Sequence, residues 1–363
     1  MNVIQILEKL ISCKSITPLD DGSLKFVREY LQEFEVIDLS YRDVKNLFLY
    51  KKTHPNPHLC FAGHIDVVPP GDGWKTPPFE PTTKEGYIYG RGAQDMKSGV
   101  AAMLNPLKEL SFEGTLSLLL TSDEEGDAEY GTKYALSQLK KIDLLPDFAI
   151  IGEPTSQTQA LDAIKIGRRG SINGELEILG EQGHVAYYKE GANPTEIVAK
   201  KLDKIAGVKL DSGDENFEPS RIVISNINGG VGVTNVTPKS VKIVFNVRNS
   251  PNTTLSDVES YIKDVFEGYY FTLKIKQSSK PFITDRHSPF VKKCSDIIAD
   301  SSGIETSLST SGGTSDARFF AEYKIPTVEM GVVNDRIHAT NERVGIDEVE
   351  LLEKVFRSII RSF

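Results

Sequence analysis

Residues 116–127 read LSLLLTSDEEGD. Leucine fills four of the first five places, the mark of a short buried strand. The strand then empties into Asp123, Glu124 and Glu125. Like charges placed side by side beneath a buried strand are costly unless something cationic neutralises them. In an open α/β sheet functional groups gather where strands end. The end of this strand therefore bears on both the fold and the site.

Outward from it, HLCFAG (58–63) and DFAIIGEP (147–154) read as further buried strands. SGVAAMLNPLKEL (98–110) and GTKYALSQLKKI (131–142) read as amphipathic helices between them. That order predicts an α/β sheet with helices on both faces. The same grammar returns in helix SPFVKKCSDIIAD (288–300), strand IPTVEMGVV (325–333) and a last helix from about Ile346.

Between Gly170 and Lys280 the pattern changes. SINGELEIL alternates as a half-buried strand, and PTEIVAKKLDKIAG sets Ile197, Val198, Leu202 and Ile205 on one helical face. RIVISNI and SVKIVFNVR follow as strands, then helix LSDVESYIKDVFEGY and strand YFTLKIK. The order β-α-β-β-α-β is that of the ferredoxin-like split unit. It predicts a domain at 169–281 inserted into one built from 1–168 and 282–363. One face and the edge strands of such a sheet need cover, which suits an interface.

The 363 residues carry a formal charge of −9 with 39% hydrophobic and 26% charged side chains. No basic surplus or Lys/Arg run exists, which argues against nucleic acid as a partner. The start, MNVIQILEKLISCKS, has apolar residues at Val3, Ile4, Leu7, Leu10 and Ile11. It reads as a helix and not a signal peptide, because Glu8 and Lys9 interrupt it and no basic leader precedes it. No apolar run approaches the ~20 residues that span a bilayer. Cys13, Cys60 and Cys294 are scattered, which suits reduced thiols in a cytoplasmic protein.

Acids and imidazoles follow the predicted strands. His64 and Asp66 follow the first, Glu124 and Glu125 the second, and Glu153 the third. Asp95 stands before a helix and His338 after the strand at 325–333. If the strands are parallel neighbours, these groups converge on one rim. Imidazoles with carboxylates form a mixed N/O donor set suited to Zn²⁺, with Mn²⁺ or Co²⁺ as substitutes. One divalent ion leaves several acids unneutralised, whereas two ions sharing a carboxylate about 3.5–4 Å apart balance the charge. GRG and SGGTSD do not qualify as nucleotide loops: no Walker lysine follows, and no G-x-G-x-x-G opens a helix.

The stretches GHIDVVPPGDGWKTPPFEPTTKEGYIYGRGAQDMKSGVAAML, TSDEEGDAEYGT, IGEPT, GRRGS, QGHVAY and SGGTSDARF resemble the dinuclear zinc deacylase and exopeptidase superfamily. The resemblance runs over nearly the whole chain, in family order. It implies a mixed-sheet zinc-exopeptidase-like catalytic domain with an inserted ferredoxin-like dimerisation (lid) domain, working as a cytoplasmic homodimer. Carried over residue by residue, it implies that His64 and Glu153 bind one zinc, Glu125 and His338 the other, and that Asp95 bridges them. It implies too that Asp66 orients the His64 ring, that the Asp95–Met96 peptide is cis, and that Glu124 is the general base. Arg168, Asn235, Arg248, Gly313 and Thr314 match substrate-gripping positions. His184 matches a lid histidine that completes the partner subunit's oxyanion hole. Within the superfamily the chain looks most like the branch that hydrolyses the amide of N-succinyl-LL-2,6-diaminopimelate in lysine biosynthesis. Its rivals are acetylornithine deacetylation, for which GRRGS should be unnecessary, and dipeptidase or carboxypeptidase action. A metal-free binding protein on the same fold is a further alternative, opposed by the intact ligand set and Glu124.

Overall fold

A computed structural model of the protein describes residues 1–187 and 189–363. The chain forms two compact units. One comprises Met1–Gly167, Ile283–Ser309 and Ser315–Phe363, the other Arg168–Phe282 and Thr310–Thr314. The sequence reading placed Thr310–Thr314 in the catalytic domain. In the structure Arg168 Nη1 donates to Ser311 O at 3.0 Å and Thr310 Oγ1 donates to Asn216 O, and these bonds hold the segment in the inserted unit.

The larger unit is built on an eight-stranded sheet. Its order is Glu35–Asp38, Asn46–Lys52, Thr115–Thr121, His58–His64, Phe148–Ile151, Thr327–Glu329, Ala163–Lys165, Ser307–Ser309. His58–His64 lies parallel to both its neighbours, and Thr327–Glu329 is parallel to Phe148–Ile151. Asn46–Lys52 runs antiparallel to Thr115–Thr121, so the sheet is mixed. The strands Glu35–Asp38 and Asn46–Lys52 are absent from the sequence reading: the first is exposed at both ends and only half-buried between, and the second ends in two lysines. His58–His64 and Thr115–Thr121 are buried at every residue, which is why they read as continuous apolar runs.

Register places the ends of these strands. His64 pairs level with Thr121, and Ala62 pairs level with Ile151. The chain beyond Thr121 and beyond Ile151 therefore leaves the sheet beside His64. Helix Lys97–Glu109 packs against Val3–Ile11 and Ile346–Ser362, and Pro289–Ser302 joins the last of these. Val349, Leu352, Val355, Phe356, Ile359 and Ile360 form the buried stripe of the final helix, at helical spacing. Phe356 meets Phe61 of the central strand edge-on at 5.2 Å. Thr132–Lys141 and Ala317–Glu322 form a second helical group. Gly99 lets helix Lys97–Glu109 rest on bare backbone, since a Cβ there would lie 2.0 Å from the Gly152 carbonyl oxygen. That contact fixes the turn carrying Glu153.

The smaller unit has a four-stranded antiparallel sheet ordered Arg221–Gly229, Ser240–Arg248, Ser171–Leu179, Phe271–Ser279. With helices Pro194–Lys201 and Leu255–Val265 it forms the ferredoxin-like split unit, strand order 2-3-1-4. Alternate residues Ile172, Leu176 and Ile178 pack with Ile243, Phe245, Val247, Val258 and Ile262. Arg221–Gly229 is an edge strand and exposes Val223 and Ile227, with Val231 and Val233 exposed just beyond.

Buried His58 supplies an acid-sensitive term in the larger unit. Its Nε2 lies 2.8 Å from Ser117 Oγ, and burial pushes the imidazole down to about 4. The unfolded chain takes up a proton near about pH 6.5 that the folded site refuses, so this contribution is present at neutral pH and lost as pH falls. The loss should be about 2 kcal/mol between about pH 7 and pH 5. Urea midpoints of His58→Gln should accordingly vary less over that range than the parent's. Equal slopes would remove His58 as the cause.

Candidate metal centre and active site

The larger unit brings six of the singled-out side chains into one cluster. His64 Nε2 lies 3.2 Å from Asp95 Oδ1 and 3.9 Å from Glu153 Oε1. On the other side of the same carboxylate, Asp95 Oδ2 lies 3.5 Å from His338 Nε2, which is 2.7 Å from Glu125 Oε1. Three-residue groups able to hold a metal ion are His64–Asp95–Glu153, Asp95–Glu125–His338 and His64–Glu124–Glu125. Asp95 belongs to the first two and turns one oxygen to each imidazole. The Asp95–Met96 peptide is cis, and His338 sits at φ 59° in the left-handed region.

Electrostatics show what the cluster demands. Burial opposes charge on His64, yet Asp95, Asp66, Glu153 and Glu124 together raise its pKa well above the usual range. Hydrogen bonds to Asp95 and Glu125 push His338 up to about 10. Burial favours a neutral Asp95, but the bonds from His338 and His64 hold its carboxyl well below the ordinary value. Burial, with neighbouring acids, raises Glu124 and Glu153 well above theirs. Protons on the two imidazoles thus balance the acids, in the place where divalent cations would act.

The donor set fits such ions. His64 Nδ1 lies 2.9 Å from the Asp66 carbonyl oxygen, so Nδ1–H donates there, and Nε2 is the atom turned to Asp95 and Glu153, where a bound ion would replace its proton. The Asp66 carboxylate is farther from Nδ1, at 3.6 Å. It accepts instead from Thr17 Oγ1 at 2.7 Å, Glu125 N at 3.1 Å and Glu124 N at 3.4 Å. Asp66 thereby orients the His64 ring through its backbone and the glutamate loop through its side chain. Glu124, half-buried, takes part in neither of the two groups joined at Asp95 and belongs only to the third, with His64 and Glu125.

The remaining singled-out residues lie in the smaller unit. Arg168 donates to Ser311 O in the segment that carries Gly313 and Thr314, and a Cβ on Gly312 would meet its Nη1 at 2.6 Å. Arg169 pairs with Glu218 at 3.1 Å. Arg248 is half-buried, and burial with the nearby Arg169 lowers its pKa. His184 pairs across a two-stranded ribbon with Val236, and Val185 N donates to Asn235 O at 3.1 Å, so His184 and Asn235 are neighbours. His184 Nδ1 accepts from Ala186 N at 3.1 Å, which leaves Nε2–H as a donor.

Two residues of the site escape sequence reading. Arg91, from the GRG stretch, is buried and pairs with buried Glu342 at 2.7 Å. The flanking glycines serve close packing, since a Cβ on Gly90 would meet Ile11 at 2.4 Å and one on Gly92 would meet Val67 at 2.5 Å. Glu342 lies in a polar stretch, TNERV, with no periodicity to mark it as buried.

Comparison with known proteins defines the class. The chain belongs to peptidase family M20/M25/M40, whose model matches residues 60–362. At the level of single relatives, it is 57% identical over 364 residues to the succinyl-diaminopimelate desuccinylase of Nitratiruptor sp., covering 100% of both chains. It is 54% identical over 355 residues to that of Wolinella succinogenes, covering 98% of each. Among solved structures, a tripeptidase from Staphylococcus aureus matches with TM-score 0.82 at 25% identity, over 99% of this chain and 97% of that one. A dinuclear metal binding peptidase from Bacillus subtilis shares the fold, with TM-score 0.72 at 15% identity over 99% of this chain and 96% of the other.

The two triads predict distinct outcomes for the adjacent glutamates. Chelator-stripped protein titrated with Zn²⁺ should take up two equivalents, and Glu125→Gln should weaken one of them. Glu124→Gln should keep both yet lose kcat by a factor on the order of 10² or more. Metal release by Glu124→Gln with retention by Glu125→Gln would reverse the roles.

Proposed function

We propose that the protein is a metal-dependent amidohydrolase that converts N-succinyl-LL-2,6-diaminopimelate and water to succinate and LL-2,6-diaminopimelate. The observation that carries this reading is the Asp95 carboxylate set between His64 and His338, in a chain that aligns end to end with a desuccinylase at 57% identity. His64, Glu153 and Asp95 would hold one ion, and Asp95, Glu125 and His338 the other. The donor set favours Zn²⁺, with Co²⁺ or Mn²⁺ as substitutes. When bound, such ions polarise the scissile carbonyl and acidify the attacking water.

The chain's own groups complete the reaction. Glu124 accepts a proton from the attacking water as its oxygen adds to the amide carbonyl carbon. It then delivers that proton to the nitrogen as the C–N bond breaks, so that the amine leaves as a neutral group. Burial disfavours its charge, and the bound cations would restore it, leaving a carboxylate able to take up the proton. Asp66 fixes Glu124 by accepting from its backbone N–H. Arg168 and Arg248 supply forked donors for the substrate's carboxylates, and Asn235, Gly313 and Thr314 supply polar backbone and side-chain contacts. The His184 Nε2–H donates to the oxygen that gains charge in the tetrahedral intermediate. The protein acts as a cytoplasmic homodimer through its inserted unit, whose Arg221–Gly229 edge exposes Val223 and Ile227 for pairing.

Side-by-side assays with added Zn²⁺ should give kcat/KM for succinyl-diaminopimelate far above that for acetylornithine or a tripeptide. Arg168→Ala or Arg248→Ala should lower that kcat/KM by about 2–4 kcal/mol of transition-state stabilisation without changing metal content. A preference for acetylornithine or the tripeptide would overturn the substrate reading.

Sharing of His184 across the dimer has its own test. Two inactive variants, Glu124→Gln and His184→Ala, are dissociated, mixed and allowed to pair again. If each subunit lends His184 to its partner, one site of a mixed dimer holds both defects and the other neither. About a quarter of parental activity should return, because half of randomly paired dimers are mixed and each has one sound site. No recovery, with mixed dimers confirmed by mass, would place His184 in its own subunit's site.

A further inference from the structure

Arg91 and Glu342 are each nearly inaccessible, at 2% and 1% exposure, and Nη1 lies 2.7 Å from Oε2. Burying two charges is expensive, and well-packed apolar residues often serve stability as well or better. Its hydrogen bonds show what the pair positions. Glu342 Oε2 also accepts from Gly92 N at 3.0 Å, and Oε1 accepts from Gln94 N at 2.8 Å and Asp95 N at 3.1 Å. One carboxylate thus gathers three backbone N–H groups of the loop that ends at Asp95. On the other side, Arg91 Nη2 donates to His338 O at 3.2 Å and to Pro70 O at 3.2 Å, and the guanidinium lies 5.2 Å from the Trp74 ring centroid. The Gln94 side chain adds a second tie, donating to Asp335 Oδ1 at 2.8 Å and accepting from Arg336 N at 2.8 Å.

We propose that the buried Arg91–Glu342 pair is a positioning device that sets the Asp95 loop and the His338 backbone against each other, and so fixes the spacing of the groups that hold the second ion. The inference rests on the reading of Asp95 and His338 as metal ligands. The forked guanidinium is what allows one side chain to reach both Glu342 and the His338 carbonyl. A lysine offers one point charge and loses one of the two contacts. His338, held at φ 59° in the left-handed region, depends on such outside bonds to keep its backbone there.

The test separates positioning from stability. Chelator-stripped parent, Glu342→Gln, Arg91→Met, Arg91→Lys and the double variant Arg91→Met/Glu342→Leu are titrated with Co²⁺ by calorimetry, with the visible Co²⁺ spectrum followed. Urea midpoints of the metal-free forms are measured beside them. Each variant should bind one ion about 10–100-fold more weakly than the parent and show an altered spectrum, the scale of losing a partner behind the ligands. The double variant, whose buried charges are gone, should recover the metal-free midpoint lost by Arg91→Met but not the metal affinity. Arg91→Lys should hold near-parental stability with weakened binding. Parental Co²⁺ affinity and spectrum in the double variant, or binding losses that only follow the urea midpoints, would overturn the proposal. His338→Ala separates the two readings. If it costs one ion while the pair variants cost none, only the positioning role falls. A parent that takes up no metal overturns the ligand reading and this one with it.

Discussion

The carboxylate of Asp95 is the constraint around which the larger unit is arranged. It stands between two imidazoles and within reach of Glu125, and burial favours its neutral form. Keeping it ionised requires cations on both sides, either protonated histidines or bound metal. Everything nearby serves that arrangement. Parallel pairing with Thr115–Thr121 and Phe148–Ile151 sets His64 beside the chain leading to Glu125 and to Glu153. Gly99 seats a helix on the Gly152 backbone, and Glu342 gathers the amides that precede Asp95.

The adjacent glutamates show how one loop can carry two roles. Glu124 and Glu125 follow the same strand, and the Asp66 carboxylate accepts a hydrogen bond from the backbone N–H of each. Their carboxylates stay close enough to form one group with His64. Glu125 closes on His338 at 2.7 Å, whereas desolvation and the neighbouring acids raise the pKa of half-buried Glu124. On the proposed reading a ligand and a base are distinguished by geometry alone, because their chemistry is the same.

The smaller unit contributes a different kind of chemistry. Its sheet is polar on one face, where Lys242 and Glu175 pair at 2.7 Å, and apolar on the face that meets its helices. On the proposed reading its donors are cationic or neutral: Arg168, Arg248, Asn235 and the His184 Nε2–H. Such groups suit carboxylates and a developing oxyanion. Arg168 is held by the Ser311 carbonyl, so its place depends on a segment of chain more than a hundred residues away. Arg169, its neighbour, instead turns to Glu218.

The sequence by itself determined the local elements and the donor types. The leucine run at 116–120 made a strand buried at every residue, and the stripe from Val349 to Ile360 made the last helix. Each is written in the spacing of neighbouring residues, so each was legible. The resemblance of motifs such as TSDEEGD and GRGAQD then indicated which acids and imidazoles to bring together. What the sequence left open has one physical cause, that the deciding contacts join residues far apart along the chain. Glu342 holds the amides of Gly92, Gln94 and Asp95 from about two hundred and fifty positions away, with no apolar pattern to announce its burial. Thr310–Thr314 belongs to the inserted unit only because Arg168 and Asn216 bond to it. The carbonyl of Asp66, and not its carboxylate, lies nearest the His64 ring, and only the folded backbone could choose between two oxygens of the same residue.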